Sequence, residues 1–109
     1  MVYVSKYDEE QGKRIDIEPT KEYIMDRIKE WGTVYFTGFQ TDEEVKEFIS
    51  KFPKYVNLKL KYLSNAESKT DKRYIPACSF EINSIDGRTG EINEAGIKRT
   101  KRLLKGLGL

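Results

Sequence analysis

From Ile97 to Leu109 the chain carries five cations, Lys98, Arg99, Lys101, Arg102 and Lys105, and no acid. At about 100° per residue, Ile97, Thr100, Leu103, Leu104 and Leu107 gather on one side of a helix, and the cations fill the opposite arc. Such an arc binds anions. A phosphate backbone suits it, because each neutralised phosphate releases a condensed counterion. Cations near a helix C-terminus also favour the negative end of the helix dipole, so helix stability and solubility account for the same pattern. A membrane-surface helix fits less well, since the segment is short and has no interfacial aromatic residue.

A second basic group belongs to residues 55–83. Lys59 and Lys61 fall on the polar side of an alternating strand, and Lys69, Lys72 and Arg73 sit in or beside the polar loop that follows. Tyr55 and Tyr74 are suited to stacking on bases if exposed. A charged sheet face with a surface loop is the plainer reading of the same residues.

Groups for catalysis are scarce. With no histidine in the chain, the commonest general base and metal ligand is missing. Cys78 lies mid-strand between Ala77 and Ser79 with nothing to activate it, and is expected to be a buried structural thiol. A single cysteine cannot build a zinc site. The segment Asp86-Gly87-Arg88-Thr89-Gly90-Glu91 lacks the spacing of a calcium loop and is expected to be a tight turn. Gly87 and Gly90 are not followed by the Lys-Ser/Thr of a phosphate loop. We therefore expect no enzyme activity, no cofactor and no metal.

Charge is unevenly spread. Residues 1–54 carry nine Lys/Arg against twelve Asp/Glu, while residues 55–109 carry eleven against six, so the overall +2 conceals a basic second half. The charged fraction of 35% exceeds the usual value of about 25%, which suits a folded, heavily solvated domain. No apolar run approaches the ~20 residues that span a bilayer. Met1-Val2-Tyr3-Val4-Ser5-Lys6 lacks the basic start and apolar stretch of a secretory signal, and one cysteine forms no internal disulfide; a cytoplasmic protein is expected. Fourteen Lys and twelve Glu against two Gln and four Asn is a bias found in proteins from hot environments.

The elements that must position these groups are legible in the periodicity. Val2 to Tyr7 and Arg14 to Glu18 alternate as an opening hairpin. Thr20, beside Pro19, caps a helix with Ile24, Ile28 and Trp31 on its apolar stripe, and Gly32 ends it in the left-handed conformation. Val34-Tyr35-Phe36 predicts a strand covered on both faces. Thr41-Asp42-Glu43-Glu44 is a capping box ahead of Val45, Phe48, Ile49 and Phe52. Residues 55–63 and 73–82 predict an antiparallel hairpin, with Pro76 placing the second strand at a sheet edge or a bulge. A last helix runs from about Asn93 or Glu94 to Lys105 and ends at Gly106. Trp31, Phe36, Phe48, Phe52 and Phe80 are assigned to the core.

These elements predict a single domain over residues 1–109 with an α/β two-layer sandwich fold. The order is (β)β–α–β–α–β–β–α, with a four- to five-stranded mixed sheet and the helices at 19–31 and 41–52 on one face. A basic helix and tail at 93–109 are extra. Two strand–helix–strand units should make three strands parallel. The order over residues 13–83 is similar to that of the Alba chromatin proteins and of the C-terminal domain of bacterial initiation factor 3, which implies nucleic-acid binding helped by a projecting hairpin. The basic loop that Alba proteins carry before their first helix is replaced here by Glu18-Pro19-Thr20-Lys21.

The expected function is backbone-directed, non-enzymatic binding of DNA or RNA. Lys98, Arg99, Lys101, Arg102 and Lys105 would contact phosphates together with Lys59, Lys61, Lys69, Lys72 and Arg73, as one continuous track. The alternative is a protein-binding regulator or inhibitor of a larger cellular protein, of the sort viruses and mobile elements encode. The strands at Val2–Tyr7 and around Pro76 are the expected edges for pairing into a homodimer.

Overall fold

A computed structural model describes residues 2–64, 74–82 and 94–109. Tyr3–Asp8 (β1) and Lys13–Ile17 (β2) form the opening hairpin. Lys21–Trp31 (α1) leads into Thr33–Thr37 (β3), and Asp42–Ser50 (α2) into Leu58–Ser64 (β4); Tyr74–Glu81 (β5) and Glu94–Gly106 (α3) follow. The predicted order is the order found.

The sheet runs β2-β1-β3-β5-β4, and every ladder is antiparallel, so the expected mixed sheet is corrected. The register explains why. β2 and β3 are both antiparallel to β1, and β3 and β4 are both antiparallel to β5. The crossovers through α1 and α2 therefore do set β2, β3 and β4 running the same way. None of the three is a neighbour of another, because β1 occupies the slot between β2 and β3 and β5 the slot between β3 and β4. Antiparallel pairs form through short hairpins and are somewhat more stable per residue than parallel ones.

This insertion also moves the edges. The edge strands are β2 and β4, and the two strands expected at the edges are interior. Lys13, Arg14 and Asp16 on one edge, and Lys59 and Lys61 on the other, charge both margins against unwanted pairing. Pro76 is tolerated inside the sheet because it pairs with Tyr62 of β4 beyond the point where the β3 ladder ends, at Phe36 opposite Cys78. On the N-terminal side of β4, residues 55–57 are not strand. Lys54–Val56 is a single 3-10 turn, and Asn57 takes φ 62° to re-aim the chain.

Caps behave as the sequence predicts, with one shift. Thr20 Oγ1 accepts from the Tyr23 N–H at 3.2 Å, and Thr41 Oγ1 from the Glu44 N–H at 3.3 Å. The Glu44 carboxylate reaches back past Thr41 to the Gln40 N–H, at 2.8 Å. Gly32 ends α1 at φ 72° with its N–H on the Ile28 carbonyl.

Val4, Val34, Phe36, Cys78 and Phe80 share one sheet face by register, and that face is buried under Ile24 and Ile28 of α1, Val45 and Phe48 of α2, and Leu103 and Leu104 of α3. Phe36, Phe39 and Phe52 each pack a ring on Phe48, with centroids 5.1–5.8 Å apart. Trp31 departs from the expected core, being 61% exposed with the Arg27 guanidinium over its ring. Its helical phase is right, but β3 begins two residues later, so no sheet lies beneath the last turn of α1.

α3 runs through Gly106, and the predicted stop belongs two residues further on. Gly108 takes φ 78°, its N–H bonds the Lys105 carbonyl at 3.1 Å, and the Leu109 N–H bonds that of Leu104 at 2.9 Å. This pair of bonds is a Schellman cap. Gly106 is needed for space instead, since a Cβ there would stand 2.5 Å from Phe52 Cε1. Gly106→Ala should therefore lose about 1 kcal/mol despite better helix propensity, by forcing the Phe52 ring off Phe48. Gly108→Ala should lose about the same through backbone strain. Urea unfolding checks both, and Phe52→Leu should rescue only Gly106→Ala; equal rescue of both contradicts the assignment.

Candidate nucleic-acid interface

Alternation along β4 separates the predicted cations. Leu58 and Leu60 turn toward the helices, so Lys59, opposite Ser79, and Lys61, opposite Ala77, project from the other sheet face. α3 lies on the helical side, where Leu103 and Leu104 enter the core. The continuous track from last helix to hairpin is therefore not formed by the described residues: its two parts stand on opposite faces of the sheet. Lys69, Lys72, Arg73 and the turn at 86–91 lie outside the described residues.

On the helical side the structure keeps four of the five α3 cations at the surface. Lys98, Lys101, Arg102 and Lys105 are exposed, whereas Arg99 is half-buried. Lys98 lies 3.7 Å from Glu94 one turn earlier, an exposed pair that holds it weakly. Among the described residues, Lys101 and Lys105 meet no carboxylate. Arg102 places its guanidinium 4.8 Å from the ring centroid of Tyr55, which is 55% exposed in the 3-10 turn before β4. Cation and ring thus lie together at the surface.

The sequence reading missed Lys21. Where α1 packs beside α3, Lys21 joins Lys101 and Lys105 around a shallow groove of about 290 Å³ floored by Met25, Leu104 and Leu109. Lys21 and Met25 are one turn apart beside the Ile24–Ile28 stripe, which marks them as a flank of α1. Nothing local says that α3 would dock against that flank. Leu109 reaches the floor because the Schellman cap folds it back over Leu104, the hydrophobic contact this motif usually carries.

The opposite sheet face is polar and its centre is buried. Ala77, Ser79 and Thr37 are at most 1% exposed, with Thr37 Oγ1 donating to Asp16 Oδ1 at 2.7 Å and Arg14 to Ser5 Oγ at 3.1 Å. Lys59 and Lys61 fringe this face from the β4 edge.

No described residues gather three metal-ligating side chains, and no described helix is long and apolar enough to cross a membrane. Cys78 is buried, and burial pushes its thiol up from 9.0 to about 12, against a smaller downward pull from a hydrogen bond with the Lys59 backbone. A thiol so held is a poor nucleophile at neutral pH. The folded state binds this proton more tightly than the unfolded one. Its contribution to stability is therefore complete below about pH 9 and is lost as the pH rises toward 12. Urea titrations across that window should show a steeper alkaline loss for the native protein than for Cys78→Ala, by up to about 1.4 kcal/mol per pH unit. Parallel slopes would contradict it. Among protein-family models, curated proteins and solved structures, none matches this chain.

Proposed function

We propose that this protein is a non-enzymatic, cytoplasmic nucleic-acid-binding protein whose contact surface is the outer face of α3 with the adjoining flank of α1. One observation carries the reading: Lys101, Arg102 and Lys105 project from the helical layer without carboxylate partners among the described residues, beside Lys21 and the exposed Tyr55 ring. Cations left free of ion pairs retain their charge for a polyanion. A helix-dipole role asks only that they lie in the last turns of α3, and neither the addition of Lys21 nor the stacking of Arg102 on Tyr55 follows from it.

Contacts from Lys21, Lys98, Lys101, Arg102 and Lys105 would be directed at phosphates, so binding tolerates sequence. Lys59 and Lys61, on the other sheet face, are left out of this footprint. An acidic protein partner is the competing reading, favoured by the apolar floor of Met25, Leu104 and Leu109 between the lysines.

Five phosphate contacts give a salt slope near −4.5, or roughly a 500-fold loss of affinity between 50 and 200 mM salt. Fluorescence anisotropy with labelled DNA and RNA should show that slope, and Lys101→Glu with Lys105→Glu should cut binding at least about tenfold and flatten it by about two. Lys59→Glu with Lys61→Glu should change little. A flat salt response, no binding at low salt, or a nuclease-resistant protein partner bound in stoichiometric amount rejects the proposal.

A further inference from the structure

β1 and β3 are paired only at Tyr3 with Thr37 and Val4 with Phe36, while β1 and β2 remain paired as far as Asp8 with Lys13. Past Ser5 the hairpin therefore leaves the sheet, and the N-terminal half of β3 has no strand on that side. The Tyr23 hydroxyl, from α1, bonds the Ser5 carbonyl at 3.4 Å and closes the apex of the gap. What remains is a cleft of about 450 Å³ between the hairpin, α1 and β3.

Its lining is unlike the rest of the surface. Three aromatic side chains open into it, Tyr7, Trp31 and Tyr35, and the first two are more than half exposed. Two guanidiniums stand over rings there, Arg14 at 5.5 Å from the Tyr35 centroid and Arg27 at 5.7 Å from that of Trp31. Burial raises the Tyr23 phenol, helped by Glu30, and the charges of Arg27 and Arg14 pull against it, so both arginines lie near the apex. Glu9 and Glu30 supply acceptors at the rim. Thr33 also lines the cleft, but its Oγ1 is shut off from solvent and, like Ser79 Oγ, has no hydrogen-bond partner among the described residues.

We infer that this cleft is a second binding site, and that it takes a nucleobase with its attached phosphate. Exposed rings offer stacking planes that any base can use, and guanidiniums above such rings add positive charge beside them. The arginine N–H groups face the phosphate, which they bind more strongly than neutral donors would. The Glu carboxylates accept from exocyclic amino groups. The site is independent of the α3 surface, because its α1 residues, Arg27, Glu30 and Trp31, lie across the Ile24–Ile28 stripe from Lys21 and Met25. A free nucleotide and a nucleotide within a strand offer the same chemistry.

Trp31 is the one tryptophan in the chain, so its fluorescence reports on this cleft alone. Titration with adenosine monophosphate should quench it saturably, and inorganic phosphate should not. Arg14→Gln and Arg27→Gln should each weaken the quench about tenfold or more, with folding verified by circular dichroism. An oligonucleotide bound at least about tenfold tighter per site than the monophosphate, with the same Arg dependence, identifies a strand as the natural source; equal affinities identify the free nucleotide. Lys101→Glu with Lys105→Glu should leave the monophosphate quench unchanged, which separates failure of the α3 surface from failure of this site. No saturable quench by either probe, or a quench indifferent to both Arg variants, overturns the inference.

Discussion

Burial of one face of β3 sets the orientation of everything else. Phe36 is fully buried, lies opposite Val4 on one side and Cys78 on the other, and carries the Phe48 ring against its own. Because strand side chains alternate with a period of two, that single assignment dictates the direction of every side chain in the paired strands. Leu58 and Leu60 must face the helices, and Lys59 and Lys61 must not. A one-residue slip at Phe36 would place Tyr35 and Thr37 in the core and strand the aromatic stack on α2.

The same buried face recruits α3. Leu103 and Leu104 dock on it, Thr100 Oγ1 satisfies itself on the Gly96 carbonyl, and the closing Schellman turn lays Leu109 over Leu104. Each of these contacts uses the inner arc of the helix. The outer arc is left mostly with cations, of which Lys98 meets Glu94 while Lys101 and Lys105 meet no carboxylate among the described residues.

The cleft beside α1 comes from the opposite tendency, a place where pairing stops. β3 could form more ladder with β1 only if the hairpin stayed flat, and twist between adjacent strands works against that over its full length. Tyr23 partly compensates by donating from α1 to the Ser5 carbonyl, while Arg14 bonds Ser5 Oγ within the hairpin itself. Thr33 Oγ1 has no hydrogen-bond partner among the described residues, and Tyr7 and Trp31 stand exposed in the same cleft.

Local order was legible in the residues themselves. Thr20, Thr41, Gly32 and the apolar spacings of the three helices specify where each element lies, because caps and periodicity depend on neighbours within a turn or two. The Gly106 stop and the strand start at Tyr55 were misplaced for the same reason: a Schellman cap two residues later and a left-handed Asn57 give almost no signal in composition. Cys78 as a buried thiol followed from its place in an alternating strand. Three matters were decided only in the assembled molecule. β1 and β5 entered between the crossover strands, Trp31 came to lie past the end of the sheet, and Lys21 met Lys101 and Lys105 while Lys59 and Lys61 went to the other face. Each turns on which distant segments become neighbours, and that is settled by burial of the shared core, not by any property of the segment alone.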